Sequence, residues 1–541
     1  MAGGRIRRAG ESALLVELDS QAAAHRLRER VLAWAGGGGA GGGVTEVVVG
    51  AQTALVSLAD KGVDLDEMAG LLAAWAEGEV PEAVKEGSKA LEVPVTYDGP
   101  DLAEVASLVG LSVEEVVRRH LAPTYTVGFL GFSPGFAYLT GLDPALVVAR
   151  RDSPRRRVPA GSVGIAGGYT AAYPQATPGG WRLLASTPLV AFDAGRCPPS
   201  PFVPGGRVRF VAAGASAAAP LHWGELAATK AAESPQFDLK GEAASIFVAR
   251  AGPLTTVQDL GRVGLAHLGV SRAGPVDLPS LIRANRLVGN PDGSAGLEST
   301  LLGPELRAET STVVALAGGA VEAEVDGEPV PMDTAIPLPA GSTLSVGPLR
   351  TGVRAYIAVA GGIGVAPVLG SRSADTLTGL GPPPLRDGDR LPVGPAGGES
   401  GNADSASRDS PGLGPAGADL GAVGGTGPRV VRVTLGPRND WFSAEALATF
   451  LSAEWTVTPA CDRTGTRLAG PTLTRAQPNM ELPPEPMVEG AVQVPPDGQP
   501  IVLLANHPTT GGYPVIAVVA SADLPRVAQA RPGDTLAFSR L

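Results

Sequence analysis

Only two cysteines, Cys197 and Cys461, occur in the 541 residues. They cannot build a disulfide framework and have no metal-site spacing, so both read as buried or incidental thiols. Long hydrophobic runs are also missing. No uncharged apolar stretch reaches the roughly 18 residues that span a bilayer. The N-terminal "MAGGRIRRAGESALLVELDS" is basic, but Glu17 interrupts its short apolar run, and no small-residue cleavage site follows. The expectation is a soluble cytoplasmic protein. An excess of basic charge is absent too: 43 Lys and Arg stand against 54 Asp and Glu, which argues against a dedicated nucleic-acid binder. There is no Walker A loop, G-x-S-x-G elbow, H-E-x-x-H, paired C-x-x-C or EF-hand loop. "GGIGVAP" follows a strand-like run but lacks the third glycine and the following helix of a dinucleotide turn. The five histidines have no metal-ligand spacing, so no bound metal is expected.

What is abundant is glycine (74) and proline (50), a balance that favours many short strands and turns. The length calls for several domains. Residues 1–88 read as a small α/β unit, with strands in "SALLVELDS" and "TEVVVGAQTALVSLAD" and amphipathic helices in "QAAAHRLRERVLAWA" and "DLDEMAGLLAAWAEG". The glycine tract 36–43 is the loop after the first helix. Three later endings echo one another: "FVPGGRVRF" (202–210), "LRDGDRLPV" (385–393) and "ARPGDTLAF" (530–538). Each is a glycine turn feeding an alternating strand. "VPAGSVGIAG" (158–167) and "LPAGSTLSVG" (338–347) form a second echo. Three related β units follow, at 89–215, 244–393 and 429–541. Residues 216–243 read as a linker. The Gly/Ser/Asp/Pro-rich stretch 394–428 reads as a disordered insertion. "AVEAEVDGEPVPM" signals a hairpin at Asp326-Gly327. "VDLPSLIRANRLVGN" signals a helix with Asp277 as N-cap and Gly289-Asn290 as its stop.

Four segments carry candidate chemistry. "GFLGFSPGFAYL" (128–139) mixes aromatics with glycine and proline, and suits a strand and turn at a barrel mouth. There Phe129, Phe132 and Phe136 would keep water out; plain core packing is the competing reading. "RRDSPRRRVPAGS" holds Arg150, Arg151, Arg155, Arg156 and Arg157, either a solvated basic face or an anion clamp. "NHPTTGGYP" offers Thr509 and Thr510 before Gly511 and Gly512, whose bare backbone can approach a ligand. "AGPLTTVQDLGRVG" offers Thr255, Thr256, Gln258, Asp259 and Arg262. His120 and His507 adjoin the Gly/Pro-rich stretches and are candidates for acid–base work, whereas His25 and His222 are not.

At these residues a resemblance emerges. "TVGFLGFSPGFAYLTGLDPAL…SPRRRVPAGSVGIAGG…TPGGW" resembles the allophanate hydrolase subunit 1 family, which includes the B component of 5-oxoprolinase. "AGPLTTVQDLGRVGLAHLGVSRAGPVDLPSLIRANRLVGN…LESTLLGPEL", continuing through "DRTGTRLAGPTL" and "ANHPTTGGYP", resembles the subunit 2 family, which includes the C component of 5-oxoprolinase. The chain therefore looks like a fusion of the two. The resemblance implies a mainly β fold with α/β elements: tandem cyclophilin-like β-barrels preceded by the small α/β domain. It implies an ATP-dependent opening of 5-oxoproline (with ATP, possibly with magnesium) in company with a separate A subunit. Urea carboxylase carries a related carboxyltransferase region, and one subfamily inhibits a histidine kinase, so a biotin-dependent urea or amide carboxyltransferase and a kinase regulator are the alternatives. No biotin-carrier lysine motif or ATP-grasp region is present. No membrane or nucleic-acid partner is expected, and a homo-oligomer is open. Carried onto this sequence, the catalytic candidates are His120, Arg155, Arg157 and His507. The substrate-binding candidates are Phe129, Phe132, Phe136, Ser162, Tyr173, Thr255, Gln258, Asp259, Arg262, Asp277, Asn285, Arg463, Gln493, Thr509, Thr510, Gly511 and Gly512. Asn506-His507-Pro508 stands where the family pattern has Asp-Arg-Gln, which removes two charges from the candidate site.

Overall fold

The computed structural model describes residues 5–36, 43–59, 64–77, 89–213, 244–394, 427–477 and 480–541. The linker, nearly all of the 394–428 insertion and most of the glycine tract fall outside these residues.

The first unit is a four-stranded antiparallel sheet in the order Ile6–Arg8, Ala13–Glu17, Thr53–Leu58, Val44–Val49. Alternation in "ALLVE" and "TALVSL" sends Leu14, Val16, Ala54 and Val56 to one face. There they meet Leu27 and Val31 of the helix Gln21–Gly36 and Met68 and Leu72 of the helix Leu65–Glu77.

The second unit begins with the strand Leu91–Val95 and two helices, Leu102–Val109 and Val113–Leu121. Its seven-stranded sheet runs Arg182–Ser186, Ser162–Ala166, Tyr169–Ala172, Ala137–Thr140, Tyr125–Leu130, Arg207–Ala212, Leu91–Val95. A bridge between Thr96 and Ser186 joins the outer strands, so the sheet curls into a barrel. Its first and last strands are parallel, with Leu91 opposite Val208.

The third unit faces a six-stranded sheet against a five-stranded one over an aliphatic core that includes Ile246, Val257, Leu297, Leu344 and Ile357. The Asp326-Gly327 turn has both residues at positive φ (53° and 88°), as a two-residue hairpin requires. The helix Leu278–Leu287 starts at Asp277, whose Oδ1 accepts from the Ser280 amide at 3.2 Å. The fourth unit is a closed seven-stranded barrel, from Arg429–Leu435 round to Thr535–Arg540, with the helix Ala444–Ser452 packed on it. These first and last strands are again parallel.

The three echoed turns do one job. Gly205, Gly388 and Gly533 all have φ between 82° and 93°, a conformation only glycine adopts freely. Their amides donate to Val127, Val248 and Val457 respectively, tying each turn to a strand of its own unit before the closing strand begins. No helix among the described residues is long and apolar enough to cross a membrane.

Candidate functional site

The strand Tyr125–Leu130 ends in a tight turn through Gly131–Gly135, with Phe132 at φ 65° and Gly135 at φ 76°. A phenylalanine in the left-handed region is strained, and a contact from the far half of the chain accompanies the strain. The Phe132 amide donates to Thr510 Oγ1 at 3.1 Å. A Cβ on Gly131 would collide with the same Thr510 side chain. The Gly135 amide donates to the Leu268 carbonyl at 2.8 Å, and Gly269 lies against the Ser133 carbonyl, again too close for a Cβ. Three loops, 131–136, 266–270 and 505–512, therefore meet where the two halves of the chain join.

Hydroxyls mark this junction. Ser133 Oγ and Thr509 Oγ1 are buried, and neither has a hydrogen-bond partner among the described residues. A buried hydroxyl left unpaired is costly, and two of them lie in loops that touch. The Thr509 carbonyl accepts from the Met487 amide, while Thr510 and Gly511 pair with Pro486 and Glu485. Gln493 faces the same segment, its Nε2 3.5 Å from Met487 Sδ. His507 donates from Nδ1 to the Pro508 carbonyl at 2.9 Å, which fixes the tautomer and leaves Nε2 as an acceptor. Burial lowers its pKa, which keeps the ring neutral.

Of the sequence candidates, Phe132, His507, Gln493, Thr509, Thr510 and Gly511 come together here. Gly512 adjoins the Leu482 carbonyl on the next turn. Phe129 and Phe136 stand behind the loop in an aromatic cluster with Tyr138, Tyr173 and Trp181, with ring centroids 4.3–5.3 Å apart for the contacts of Phe129 and Phe136 within it. The others lie elsewhere, and two readings need correction. His120 is fully buried; one ring nitrogen meets Tyr97 Oη (2.7 Å) and the other Thr170 Oγ1 (2.9 Å), and the ring stacks on Phe210. Desolvation lowers its pKa to about 3. It is a core histidine, with no free nitrogen to shuttle protons. Arg155 is not an open clamp either: its Nη2 donates to Asp101 at 2.6 Å, while Arg151 bonds Asp101 and Arg182 bonds Glu104. Two of the cluster's five arginines, 151 and 155, are thus answered by acids on and before the helix Leu102–Val109, though Arg155 Nη1 is buried without a partner among the described residues. Arg157 is exposed on the short strand Arg155–Val158.

Ser162 and Thr255 donate to carbonyls of their own loops, Pro159 and Ala251. Gln258, Asp259 and Arg262 hold the 368–375 loop: Asp259 accepts from Ser371, Ser373 and the Arg372 amide, Arg262 donates to the Val368 and Ser373 carbonyls, and Gln258 to that of Ala374. Asn285 braces the end of its helix through Asn290 and the Ser294 carbonyl.

Arg463 and Asp277 belong to a buried polar joint between the third and fourth units. Arg463 donates to Glu298, to the Gly274 carbonyl and to Asn506. Glu298 also accepts from Tyr356 and the Val276 amide; Asp277 accepts from Gln529, whose Oε1 takes the Val353 and Arg354 amides. Burial pushes the Glu298 carboxyl up, and the Arg463 and Arg354 charges more than offset it, so it stays ionised. Asn506 reaches on to Asp375 at 2.7 Å, so this joint also supports the loop that carries His507 and Thr509.

Sequence reasoning missed a second group of residues at the junction. Arg438 donates to Glu485 through Nε (2.9 Å) and Nη2, and to Glu17 through Nη1. Glu17 in turn accepts from Arg7 Nε at 2.5 Å. The resulting ladder, Arg7–Glu17–Arg438–Glu485, alternates in sign and links the first unit to the fourth. Glu17 counted only as a break in an apolar run, and its partner lies 421 residues away. No local pattern signals such a contact.

The fold and site define a carboxyltransferase-domain protein. Residues 4–202 match the family described as "Carboxyltransferase domain, subdomain C and D", and residues 268–540 that described as "Carboxyltransferase domain, subdomain A and B". The chain belongs to this family and carries both subdomain pairs. Within it, the N-terminal half is similar to the B component of 5-oxoprolinase from Escherichia coli O157:H7, at 42% identity over 37% of this chain and 93% of that protein. The C-terminal half is similar to the C component of 5-oxoprolinase from Escherichia coli K12, at 38% identity over 54% of this chain and 89% of that protein. Urea amidolyase of Saccharomyces cerevisiae is 33% identical over 55% of this chain, but this covers 17% of that protein. Among solved structures, that of TTHA0988 superposes with a TM-score of 0.81 at 34% identity, covering 99% of this chain and all of that one.

Proposed function

We propose that the chain is the fused B–C component of an ATP-dependent 5-oxoprolinase, which opens 5-oxoproline to L-glutamate together with a separate A subunit. One observation carries the reading: a single chain covers 93% of a 5-oxoprolinase B component and 89% of a C component, and its two halves meet at the loops that hold the unpaired hydroxyls.

A lactam resists hydrolysis because its amide is resonance-stabilised, so the site must polarise the amide and deliver water. In this reading Ser133, Thr509 and Gln493 hold the lactam, and His507 Nε2 accepts the proton from the attacking water. Water must reach a nucleophilic pose within about 3–3.5 Å of the carbonyl carbon. The arginines around the junction do not fit a triphosphate: Arg438 is held by two carboxylates, Arg463 by Glu298, and Arg262 by carbonyls.

The test is 5-oxoproline-dependent ATP hydrolysis by the purified chain mixed with the A-type subunit of its own organism. Absence of stimulation overturns the reading. The similarity to urea amidolyase favours a second reading, carboxyl transfer to urea. It predicts consumption of a carboxylated biotin carrier when the carrier and urea are added, and no response to 5-oxoproline.

A further inference from the structure

On the far side of the segment that pairs with Thr510–Gly511 lies a cavity of about 310 Å³, walled by both halves of the chain. Its charged floor is the Arg438–Glu17–Glu485 part of the ladder, which is internally matched. Three lining groups are not matched. Arg5 is 65% exposed, and its nearest carboxylate, Asp440, is 3.6 Å away and already bonded by Arg7 at 2.6 Å. Asp19 has no hydrogen-bond or ion-pair partner among the described residues. Thr53, 4% exposed, buries an Oγ1 that lacks any partner. The remaining wall is Gln52 together with apolar residues that include Leu18, Trp441 and Leu482.

We propose that this cavity binds a small α-amino acid as its zwitterion, the ammonium on Asp19, the carboxylate on Arg5, and a polar atom on the Thr53 hydroxyl. A volume near 300 Å³ is the lower end for ligand sites and suits a metabolite of this size. The alternatives fail on charge. A plain anion would meet Arg5 but face Asp19, Glu17 and Glu485; a plain cation would leave Arg5 unanswered. A ligand that carries both signs pairs both groups of this one cavity while the ladder stays intact, and charge-assisted hydrogen bonds of this kind are the strong ones.

The site also separates the two ends of the proposed reaction. When water adds to a lactam and the C–N bond breaks, the ring nitrogen leaves as an amine and takes a proton. 5-Oxoproline therefore has no ammonium for Asp19, and L-glutamate does. This link to the reaction rests on the function proposed above; the binding itself does not.

Calorimetric titration of the full chain with L-glutamate, glutarate and 5-oxoproline tests it. L-glutamate should bind at least about tenfold tighter than the other two. Asp19→Asn and Arg5→Gln, both at exposed positions, should each weaken L-glutamate binding about tenfold with unchanged melting; Thr53→Val should weaken it with the fold retained. Equal affinity for glutarate and L-glutamate, or unchanged binding in Asp19→Asn and Arg5→Gln, overturns the proposal. If L-glutamate binds as described but 5-oxoproline fails to drive ATP hydrolysis with the A-type subunit, the 5-oxoprolinase reading falls and the amino-acid site stands. If the enzyme is active, inhibition by L-glutamate that is competitive with 5-oxoproline makes the bound amino acid the product, and non-competitive inhibition makes it an effector from the cell.

Discussion

The molecule has two polar joints built on opposite plans. Between the third and fourth units, Glu298 and Arg463 have side chains 1–2% exposed and bond inward, with Arg463 Nε and Arg354 Nε left without hydrogen-bond partners among the described residues. Between the first and fourth units, the ladder of Arg7, Glu17, Arg438 and Glu485 leaves Glu17 27% exposed and opens onto a cavity. The inner joint excludes water and locks two barrels into one body. The outer joint keeps solvent, spare charges and room for a ligand. Burial sets what each is worth, because a desolvated charge that loses its partner cannot recover its hydration.

The sharpest break of this contrast is Arg463→Ala. It takes away the arginine that bonds Glu298 directly, leaving the buried carboxylate with Tyr356, the Val276 amide and Arg354 at 3.5 Å, and should cost about 3 kcal/mol, measured as a shift in the denaturant midpoint. Arg438→Ala should cost less, about 1–3 kcal/mol, since Glu17 retains Arg7 and the buried Glu485, whose carboxyl desolvation already pushes up, can take a proton. If the two losses are equal, the distinction between dry and wet joints is wrong. A smaller effect concerns pH. The folded-state pKa of His120 is lowered to about 3 from an ordinary value near 6.5. Between those values the unfolded chain binds a proton that the folded chain refuses. The stability from this group is complete above pH ~6.5 and falls as pH drops toward 3, by up to about 1.4 kcal/mol per pH unit. His120→Gln should flatten that slope in acid unfolding curves. Ser133→Ala and Thr509→Val act in the opposite sense: each removes a buried unpaired hydroxyl and should leave stability unchanged or raise it by about 1 kcal/mol, yet depress 5-oxoproline-dependent turnover. Unchanged turnover would remove both hydroxyls from the site.

Much of the architecture is legible because it is written locally. The Asp277 cap, the Asp326-Gly327 hairpin and the echoed glycine turns each depend on residues within a few positions of one another. The aromatic stretch 128–139 reads as a strand and turn, and it is one, with Phe129 and Phe136 inside the cluster and Phe132 edge-on to Phe136 while its amide bonds Thr510. What cannot be read is which charge meets which. The arginines at 151 and 155 look like a clamp until Asp101, about fifty residues upstream, is brought beside them. His120 looks reactive until its barrel closes over it. The ladder and the cavity exist only once the first unit docks on the fourth.

The strand pairings have a consequence for how such a chain is assembled. In the second and fourth units the first and last strands run parallel, so the polypeptide enters at one end and leaves at the other, a strand length away (~17–20 Å). These units are threaded like beads. The third unit is different. Its first strand, Ser245–Arg250, lies antiparallel to its last, Arg390–Pro392, with Ser245 opposite Pro392, and the Val393 amide returns to the Ala244 carbonyl at 2.8 Å. Its entrance and exit are one strand spacing apart, as in a domain spliced into a loop. Lifting it out would leave two ends nearly touching, so what holds the third unit in place is the buried joint to the fourth and not the path of the chain.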